Sequence, residues 1–388
     1  MSWPLVRLGE VAPSKALKNP VVVDDDNVWQ LNLDMVESGS GRILKKLKAP
    51  LSEAGSSTHW FDDRHILYSK LRPYLNKVVL PDEEGLATTE LVPMLPDPKR
   101  LDRRYLVHYL RSKQFVSWIS DQVAGAKMPR VSMKVFWDHE IPLPPVEEQK
   151  RIAAILDKAD AMRQKRKQAI DLADEFLRSV FLDMFGDPVT NPKGFPVGTI
   201  RDIISTVNYG SSSKASETDG EFPILRMGNI TYKGGWNFSD LKYIDLDDKE
   251  QGKYLALKND LLFNRTNSKE LVGKTAVFNE SKPMAIAGYL IRVRTNQVGN
   301  PWYISGYLNS SHGKKTLTNM CKSIVGMANI NAQELQDIKI LLPSIELQNR
   351  YESIVREVNE RMSRQHDSGS ELQSLFDALS QKAFSGQL

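Results

Sequence analysis

The sequence MPRVSMKVFWDHEIPLPPVEEQKRIAAI at residues 128–155 recurs in altered form as MANINAQELQDIKILLPSIELQNRYESI at residues 327–354. The offset is constant at 199 positions, so that Gln149, for example, pairs with Gln348. A repeat whose period is about half the chain indicates a duplicated domain, because solenoid repeats have periods of roughly 20–50 residues. The chain of 388 residues is therefore predicted to contain two similar folding units.

The similarity continues outside this stretch. WPL at 3–5 resembles FPV at 195–197, and ILYSK at 66–70 resembles LLFNR at 261–265. Each copy is predicted to be an α+β domain followed by a long helix, which makes the chain a pseudo-twofold duplication. The predicted segments are a first domain at 1–144, a helix at 145–187, a second domain at 188–343 and a helix at 344–388.

Local patterns within each copy predict mixed secondary structure. The runs VVV at 21–23, VVL at 78–80 and YLIRVR at 289–294 are β-branched or aromatic and predict strands. Tyrosines and leucines at helical spacing predict helices over 102–120 and 301–318. Together these elements indicate the α+β class.

An apolar stripe with spacings of 3, 4 or 7 residues runs along each long helical segment. A helix of about 40 residues is about 60 Å long, which is too long for the core of one small domain. We therefore predict that the two helices pack on each other as a coiled coil. The alternative is that each stripe docks on its own domain. The predicted interface residues are Ile152, Ile155, Ala159, Met162, Phe176, Val180, Ile354, Val358, Met362, Leu372, Leu375 and Leu379.

The bulk composition narrows the class of protein. The net charge is only +4, from 52 basic and 48 acidic residues, so any basic surface must be local. The single cysteine, Cys321, excludes an internal disulfide framework and suits a reducing compartment. No apolar run approaches the roughly 18 residues of a membrane span, and the first residues lack the pattern of a secretory signal. We expect a cytoplasmic protein with no membrane partner.

Five phrases, in this order and with this duplication, resemble the specificity subunit of type I restriction–modification systems. The resemblance extends over nearly the whole chain, with Ser344 and Leu347 in place of the Pro145 and Glu148 of the first copy. The phrases are ILYSKLRPYLNKV at 66–78, IPLPPVEEQKRIAAILDKAD at 141–160, LFNRTNSKELVGKTAV at 262–277, NINAQEL through LLPSIELQ at 329–348, and SLFDALSQKAFSGQL at 374–388.

The resemblance implies a DNA-recognition subunit. It implies two target-recognition domains, each reading one half of an asymmetric bipartite site in double-stranded DNA, separated by two antiparallel helices that set the spacing. It also implies two methyltransferase subunits as partners, and restriction subunits in the full complex. S-adenosylmethionine, ATP and Mg²⁺ are expected in those partners and not in this chain. An alternative is a coiled-coil interaction scaffold without specific DNA reading.

Motifs for catalysis are missing from the sequence. The Asp187-Pro188 and Asn191-Pro192 pairs lack the second proline and the aromatic residue of an adenine methyltransferase motif. No G-x-x-x-x-G-K-[ST] phosphate loop is present, and the six histidines show no metal-ligand spacing. We expect no catalytic residue, cofactor site or metal site in this chain.

Base reading requires Arg, Lys, Asn, Gln or Ser at base edges, with further basic groups on phosphates. Residues that recur in both copies are more often scaffold, so base readers are predicted where the copies diverge, at 35–60 and 211–245. The basic run at 163–167 is predicted to be either a phosphate contact or a solvated helix face. The DNA-contact candidates are Lys70, Arg72, Lys77, Lys127, Arg130, Ser212, Ser213, Lys214, Arg226, Asn229, Arg265, Asn267, Ser268 and Lys274.

Overall fold

The chain divides into two compact units. Unit 1 comprises Met1–Lys167 and His366–Leu388, and unit 2 comprises Gln168–Gln365. The unit boundaries therefore cut through the long helices, whereas the predicted segments kept each helix whole. The computed structural model describes residues 3–18, 27–123, 128–268, 271–324 and 327–388, with the side chains of 322–327 and 364–373 outside that description.

In its described part, unit 1 begins with short strands and short helices and continues into the first long helix, which it contains as far as Lys167. The strands are β1 Leu5–Arg7, β2 Val28–Leu31, β3 Leu47–Ala49, β4 Thr58–Phe61, β5 Ile66–Ser69, β6 Val78–Val79, β7 Gly85–Thr88, β8 Leu91–Met94 and β9 Glu140–Pro142. The helices are α1 Leu8–Val11, α2 Arg103–Arg111, α3 Lys113–Asp121, α4 Met133–Asp138 and the long helix α5 Val146–Phe185.

The strands of unit 1 form two sheets and one separate pair. The sheets have the orders β3-β2-β7-β4 and β6-β5-β8. Strands β2 and β7 run parallel, with Trp29 opposite Gly85. Strands β1 and β9 pair antiparallel, with Leu5 opposite Pro142. This last pair joins the beginning of the domain to the segment that leads into α5.

Unit 2 contains the rest of α5 and the remaining elements, except the end of the second long helix from His366 onward, which belongs to unit 1. Its strands are β10 Val197–Thr199, β11 Ile204–Tyr209, β12 Phe222–Leu225, β13 Lys242–Ile244, β14 Leu255–Ala256, β15 Leu261–Asn264, β16 Thr266–Asn267, β17 Thr275–Val277, β18 Met284–Ile286, β19 Leu290–Thr295, β20 Lys322–Ile324, β21 Met327–Asn329 and β22 Lys339–Leu341. Its helices are α6 Asp248–Tyr254, α7 Pro301–Asn309, α8 Ser311–Met320, α9 Ala332–Gln336 and the long helix α10 Ile345–Ser385.

Unit 2 repeats the frame of unit 1. Its sheets have the orders β13-β12-β18-β14, β11-β19-β15-β17 and β16-β21-β20. Strands β12 and β18 form a parallel pair, with Ile224 opposite Ala285. Strands β10 and β22 pair antiparallel, with Val197 opposite Leu341. The predicted duplication of an α+β domain is thus confirmed, including the strand pair that closes each domain.

Each of the two helices predicted at 102–120 and 301–318 is in fact two helices. A serine ends the first helix and caps the second: the Ser112 side chain accepts a hydrogen bond from the Phe115 N–H, and that of Ser310 from the Gly313 N–H. Serine is favoured at this position because its hydroxyl satisfies an amide that the helix leaves unpaired. The strand predicted at 21–23 lies outside the described residues.

The two long helices run in opposite directions within unit 1. The Arg151 guanidinium, near the start of α5, donates to the Leu388 carbonyl beyond the end of α10 at 3.0 Å. Further along α5, the Arg163 guanidinium lies 4.6 Å from the ring centre of Phe376 in α10. As residue numbers rise along α5, those of its contacts in α10 fall. The helix halves of this unit are therefore antiparallel.

The buried ends of the stripes pack into the domain cores. In unit 1, Ile152 is fully buried, and the Phe384 ring packs edge-on against Tyr105 of α2 at 5.5 Å. In unit 2, Phe181 packs against Tyr303 of α7 at 5.8 Å and Tyr351 of α10 at 5.4 Å. Phe384 belongs to the helix that follows the second domain but packs on the first, and Phe181 belongs to the helix that follows the first domain but packs on the second. Docking of each stripe on its own domain, our alternative, therefore does not account for these contacts.

Three predicted interface residues are instead half-exposed: Met162 at 49%, Phe176 at 51% and Leu375 at 52%. Because a helix turns about 100° per residue, Phe176 lies about 140° around α5 from the buried Phe181. Leu375 likewise lies about 180° from the buried Phe384. Leu372 lies outside the described side chains. The half-buried members are Ile155, Ala159, Val180, Ile354, Val358, Met362 and Leu379.

Candidate nucleic-acid interface

The β5–β6 turn of unit 1 carries several of the predicted contacts. The Arg72 N–H donates to the Pro129 carbonyl at 2.8 Å, and the Val131 N–H donates to the Lys70 carbonyl at 2.9 Å. These bonds hold the turn against the segment that precedes α4. Arg72 is exposed and Lys70 is half-buried, so both remain on the surface of the domain.

Two residues of this turn have left-handed backbone conformations, Arg72 at φ 51° and Asn76 at φ 49°. For residues other than glycine this conformation costs about 1–2 kcal/mol, and it persists only where the surrounding structure imposes it. Here the Gly39 N–H donates to the carbonyls of Leu75 (3.0 Å) and Asn76 (3.2 Å) from a neighbouring loop. The turn presents Tyr74, which is half-exposed, at its apex.

The equivalent turn of unit 2 follows β15. The Ile330 N–H donates to the Arg265 carbonyl at 2.9 Å, repeating the bond between Val131 and Lys70 in unit 1. The Arg265 guanidinium lies 4.8 Å from the centre of the Tyr209 ring. Asn267 and Ser268 are half-buried, and the Asn267 Oδ1 accepts from the Ser268 N–H at 2.9 Å.

The repeated lysines of these turns are part of the scaffold. Lys77 donates through Nζ to the Leu33 carbonyl at 2.7 Å, and Lys274 donates to the Met227 carbonyl at 2.6 Å. Both carbonyls lie just after the equivalent strands β2 and β12. Burial lowers the pKa of Lys274, whose side chain is nearly covered. These bonds give both lysines a structural role, and their contact with DNA stays a prediction.

Three further candidates have partners within their own unit. The Arg130 guanidinium forms an ion pair with Glu90 at 3.0 Å. Arg226 pairs with Asp240 at 2.8 Å. The buried Asn229 accepts from the Arg226 N–H at 2.8 Å and donates to the Asn237 carbonyl at 2.9 Å. Asn229 thus supports its own loop. Lys127 lies outside the described residues.

The serine-rich loop of unit 2 is open to solvent. Ser212, Ser213 and Lys214 are all exposed, while Ser211 is buried and its hydroxyl accepts from the Ser213 N–H at 3.1 Å. The loop belongs to the region where the two copies diverge. Its side chains are available to an external partner.

The divergent loops of the two units form ion pairs of opposite polarity with α5. In unit 1, Glu37 of the loop accepts from Lys167 of the helix at 2.6 Å, and this bond is the main reason that the pKa of Glu37 falls to about 2. In unit 2, Lys233 of the loop lies 2.7 Å from Asp171 and 2.6 Å from Asp174. Each divergent loop is thereby connected to the helix.

The basic run at 163–167 is partly engaged within unit 1. Lys167 binds Glu37, and the Arg163 guanidinium donates to Asp160 at 3.2 Å while covering the Phe376 ring. For the two ends of this run, these contacts favour a helix face over a contact with phosphates.

Sequence reasoning missed two cation–aromatic contacts. Lys46 lies 4.7 Å from the centre of the Trp29 ring in unit 1, and Lys314 lies 4.9 Å from that of Tyr232 in unit 2. Burial lowers the pKa of Lys314 to about 8. The partners are far apart along the chain, so no local pattern connects them.

Within the described ranges, no group of three or more His, Cys, Asp or Glu side chains is arranged to hold a metal ion. None of the helices in the described part of the chain is long and apolar enough to cross a membrane.

The two units share a duplicated frame, and their loops differ between the copies. A family model described as "Type I restriction modification DNA specificity domain" matches residues 61–172 and 192–363, one stretch in each copy. The chain belongs to this family.

Curated members of the specificity family are distant relatives. The chain is 24% identical over 303 residues to the EcoKI specificity subunit of Escherichia coli (strain K12), an alignment that covers 73% of this chain and 65% of that protein. It is 23% identical over 310 residues to the StySPI specificity subunit of Salmonella potsdam, covering 75% and 66%. The chain thus spans just under two thirds of the length of these relatives.

Solved structures share the fold of this specificity-family member. The S subunit of a type I restriction–modification system from M. genitalium matches with a TM-score of 0.60 at 15% identity, covering 99% of this chain and 96% of that one. A chain from a study of complex assembly and conformational transition in the type I R-M system matches with a TM-score of 0.51 at 20% identity, covering 100% and 98%.

Replacing Lys274 with methionine tests the structural role of the repeated lysine. The variant keeps the aliphatic stem but removes the hydrogen bond that the charged amine donates to the Met227 carbonyl, so we expect a loss of about 1–3 kcal/mol in the free energy of unfolding. The matched change at the exposed Lys214 should alter stability by less than about 0.5 kcal/mol. Chemical denaturation measures both, and equal stabilities would contradict the assignment.

Proposed function

We propose that this chain is the DNA-recognition subunit of a type I restriction–modification complex. Each unit reads one half of an asymmetric, bipartite site in double-stranded DNA, and the long helices set the number of unread base pairs between the halves. The observation that carries the proposal is the duplicated frame with divergent, outward-facing loops in a member of the specificity family.

The proposed division of labour follows from the two copies. Residues that recur serve the frame, as Lys77 and Lys274 illustrate. Two different readers recognise an asymmetric site, whereas a symmetric dimer recognises a palindrome. Most of the described candidates keep an exposed or half-buried position: Lys70, Arg72, Lys77, Arg130, Ser212, Ser213, Lys214, Arg226, Arg265, Asn267 and Ser268.

Catalysis belongs to the partner subunits in this proposal. Two methyltransferase subunits bind the chain and use S-adenosylmethionine, and restriction subunits join the full complex with ATP and Mg²⁺. The chain itself holds none of these groups and works in the cytoplasm. Its task is to place the partners on one DNA sequence.

Reconstitution with the methyltransferase subunit tests the proposal. Plasmid DNA incubated with both proteins and S-adenosylmethionine should acquire N6-methyladenine at one split, asymmetric motif, read by long-read sequencing. The methyltransferase subunit alone is the control and should leave that motif unmodified. Methylation without any sequence preference in the complete mixture would refute DNA recognition.

A matched pair of variants assigns the halves of the motif to the units. Replacing Ser212 and Lys214 with alanine should relax or change bases in one half-site only, because both residues lie in unit 2. Replacing Arg72 with alanine should affect the other half only. If either variant altered both halves, one unit would not correspond to one half-site.

Salt dependence separates DNA recognition from the scaffold alternative. Phosphate contacts release counterions, so the logarithm of the binding constant should fall linearly with the logarithm of salt, by about 0.9 for each phosphate contact. A flat response for the assembled complex on its motif would favour a protein-interaction scaffold.

A further inference from the structure

A buried glutamine occupies the fourth position of each long helix. Gln149 in α5 and Gln348 in α10 are both fully buried, which is uncommon for a polar side chain. They are equivalent in the duplication. A buried amide is stable only when its hydrogen-bonding groups find partners, so their surroundings decide what they do.

The two glutamines make the same three hydrogen bonds. Gln149 Oε1 accepts from the Asp102 N–H at 2.8 Å, and its Nε2 donates to the carbonyls of Arg100 at 2.9 Å and Pro144 at 2.8 Å. In unit 2 the partners of Gln348 are equivalent. Its Oε1 accepts from the Asn300 N–H at 2.9 Å, and its Nε2 donates to the carbonyls of Val298 at 3.1 Å and Pro343 at 2.9 Å.

These bonds connect each long helix to the cap of a domain helix. Asp102 is the residue that caps the start of α2, and Asn300 is the one that caps α7. The proline carbonyl lies at the start of the long helix itself. One amide therefore ties three segments together, and it uses one acceptor and two donors to do so. Glutamate lacks the donors, and leucine offers neither kind of group.

A tyrosine adds a second repeated bond at the joint, the place where each long helix leaves its domain. The Tyr105 hydroxyl donates to the Pro142 carbonyl at 2.8 Å, and the Tyr303 hydroxyl donates to the Leu341 carbonyl at 2.8 Å. Each carbonyl lies in the strand that closes its domain just before the long helix. The joint is thus fixed by directional bonds on two sides.

The packing around these bonds is not repeated. In unit 1 the joint is polar, since His108 of α2 contacts Asp157 of α5 at 2.7 Å. In unit 2 the equivalent of His108 is Gly306, where an added Cβ would lie 2.8 Å from the Tyr351 hydroxyl and 2.9 Å from the Phe181 ring. The glutamine and tyrosine bonds persist although their surroundings differ. These bonds therefore meet a structural requirement that both units share.

We propose that Gln149 and Gln348 are positioning residues that fix the angle at which each long helix leaves its domain, and through it the DNA spacing that the complex accepts. The inference rests on the proposed function. A helix of 40 residues is about 60 Å long. A tilt of about 3° at one end moves the other end by about 3.4 Å, the rise of one base pair. A joint that selects one spacing must hold the angle within that range.

The test uses the chain assembled with its methyltransferase subunits. The substrate is a pool of plasmids that keep both half-sites and vary the gap from two base pairs fewer to two more than the preferred length. The unmodified chain should methylate one gap strongly. Gln149→Glu and Gln348→Glu should each reduce the preference for that gap over its neighbours by about tenfold or more, with the half-site bases unchanged. Gln168→Glu, at an exposed position of α5, should keep the preference.

The ratio between gaps separates positioning from folding. A variant that only lost stability would methylate every gap less and leave the ratio unchanged, and that result would overturn the inference. Tyr105→Phe and Tyr303→Phe keep the rings and remove one bond each, so they should shift the ratio in the same direction by a smaller factor even if the glutamate variants fail to fold. If the unmodified chain methylates no split motif, the proposed function itself is wrong. If the unmodified chain methylates sites with one gap length and all four variants keep the same ratio between gap lengths, only the positioning role is wrong.

Discussion

Replacing Phe185 with alanine is expected to lower the free energy of unfolding of unit 2 by about 3–5 kcal/mol, the usual cost of deleting a buried phenyl ring. Phe185 is 1% exposed, and its ring centre lies 4.7 Å from that of Tyr303, 4.9 Å from Phe181 and 5.5 Å from Tyr351. The four rings join α5, α7 and α10. Their packing cannot close over the space that the ring leaves without moving one of these helices.

The matched control is Phe176→Ala on the same helix. Phe176 was expected in the helix interface but is half-exposed, so its removal should cost less than about 1 kcal/mol. Hydrogen exchange resolved by segment can follow unit 2 and unit 1 separately. Equal losses for the two variants would mean that Phe176 is covered in solution, contrary to its position in this structure.

Replacing Gly41 with alanine should disrupt the divergent loop of unit 1 and cost more than about 3 kcal/mol. Gly41 has φ +63°, and an added Cβ would fall inside the van der Waals radius of the Val78 carbonyl oxygen and against the Arg111 guanidinium. The same guanidinium donates through Nε to that carbonyl at 3.2 Å. The clash therefore involves the edge of β6 and a buried hydrogen bond, and neither can move cheaply.

Gly39→Ala separates the clash from backbone strain. Gly39 also has a positive φ, +81°, but nothing lies within 4 Å of its added Cβ. It should cost only the left-handed conformation, about 1–2 kcal/mol. Denaturant titration of both variants gives the difference. If Gly39→Ala proved as costly as Gly41→Ala, strain and not the contact with β6 would explain both.

Much of the frame was predictable because it is repeated. Two copies of one local pattern must satisfy the same backbone hydrogen bonds and bury the same apolar faces, so their agreement marks the scaffold. Lys77 and Lys274 illustrate the limit of that argument. Their recurrence indicated a shared role, but only the structure places both amines on loop carbonyls.

The stripe of each long helix was predictable as a stripe but not residue by residue. Spacings of 3, 4 and 7 keep side chains near one face, yet small angular errors add up along the helix. Phe176 and Leu375 therefore fit the pattern and still lie exposed. Which face is covered depends on the surrounding helices and sheets, and spacing contains no information about them.

The sequence by itself determined the duplication, the class of fold, the two long helices and the family, because these follow from short-range patterns that recur. Only the tertiary structure decided which charged groups form ion pairs within the chain. Glu37 with Lys167, and Lys233 with Asp171, are pairs whose members lie far apart along the chain. The physical reason is that an ion pair or a buried amide depends on distances of a few ångströms between distant segments, which are set when the whole unit packs.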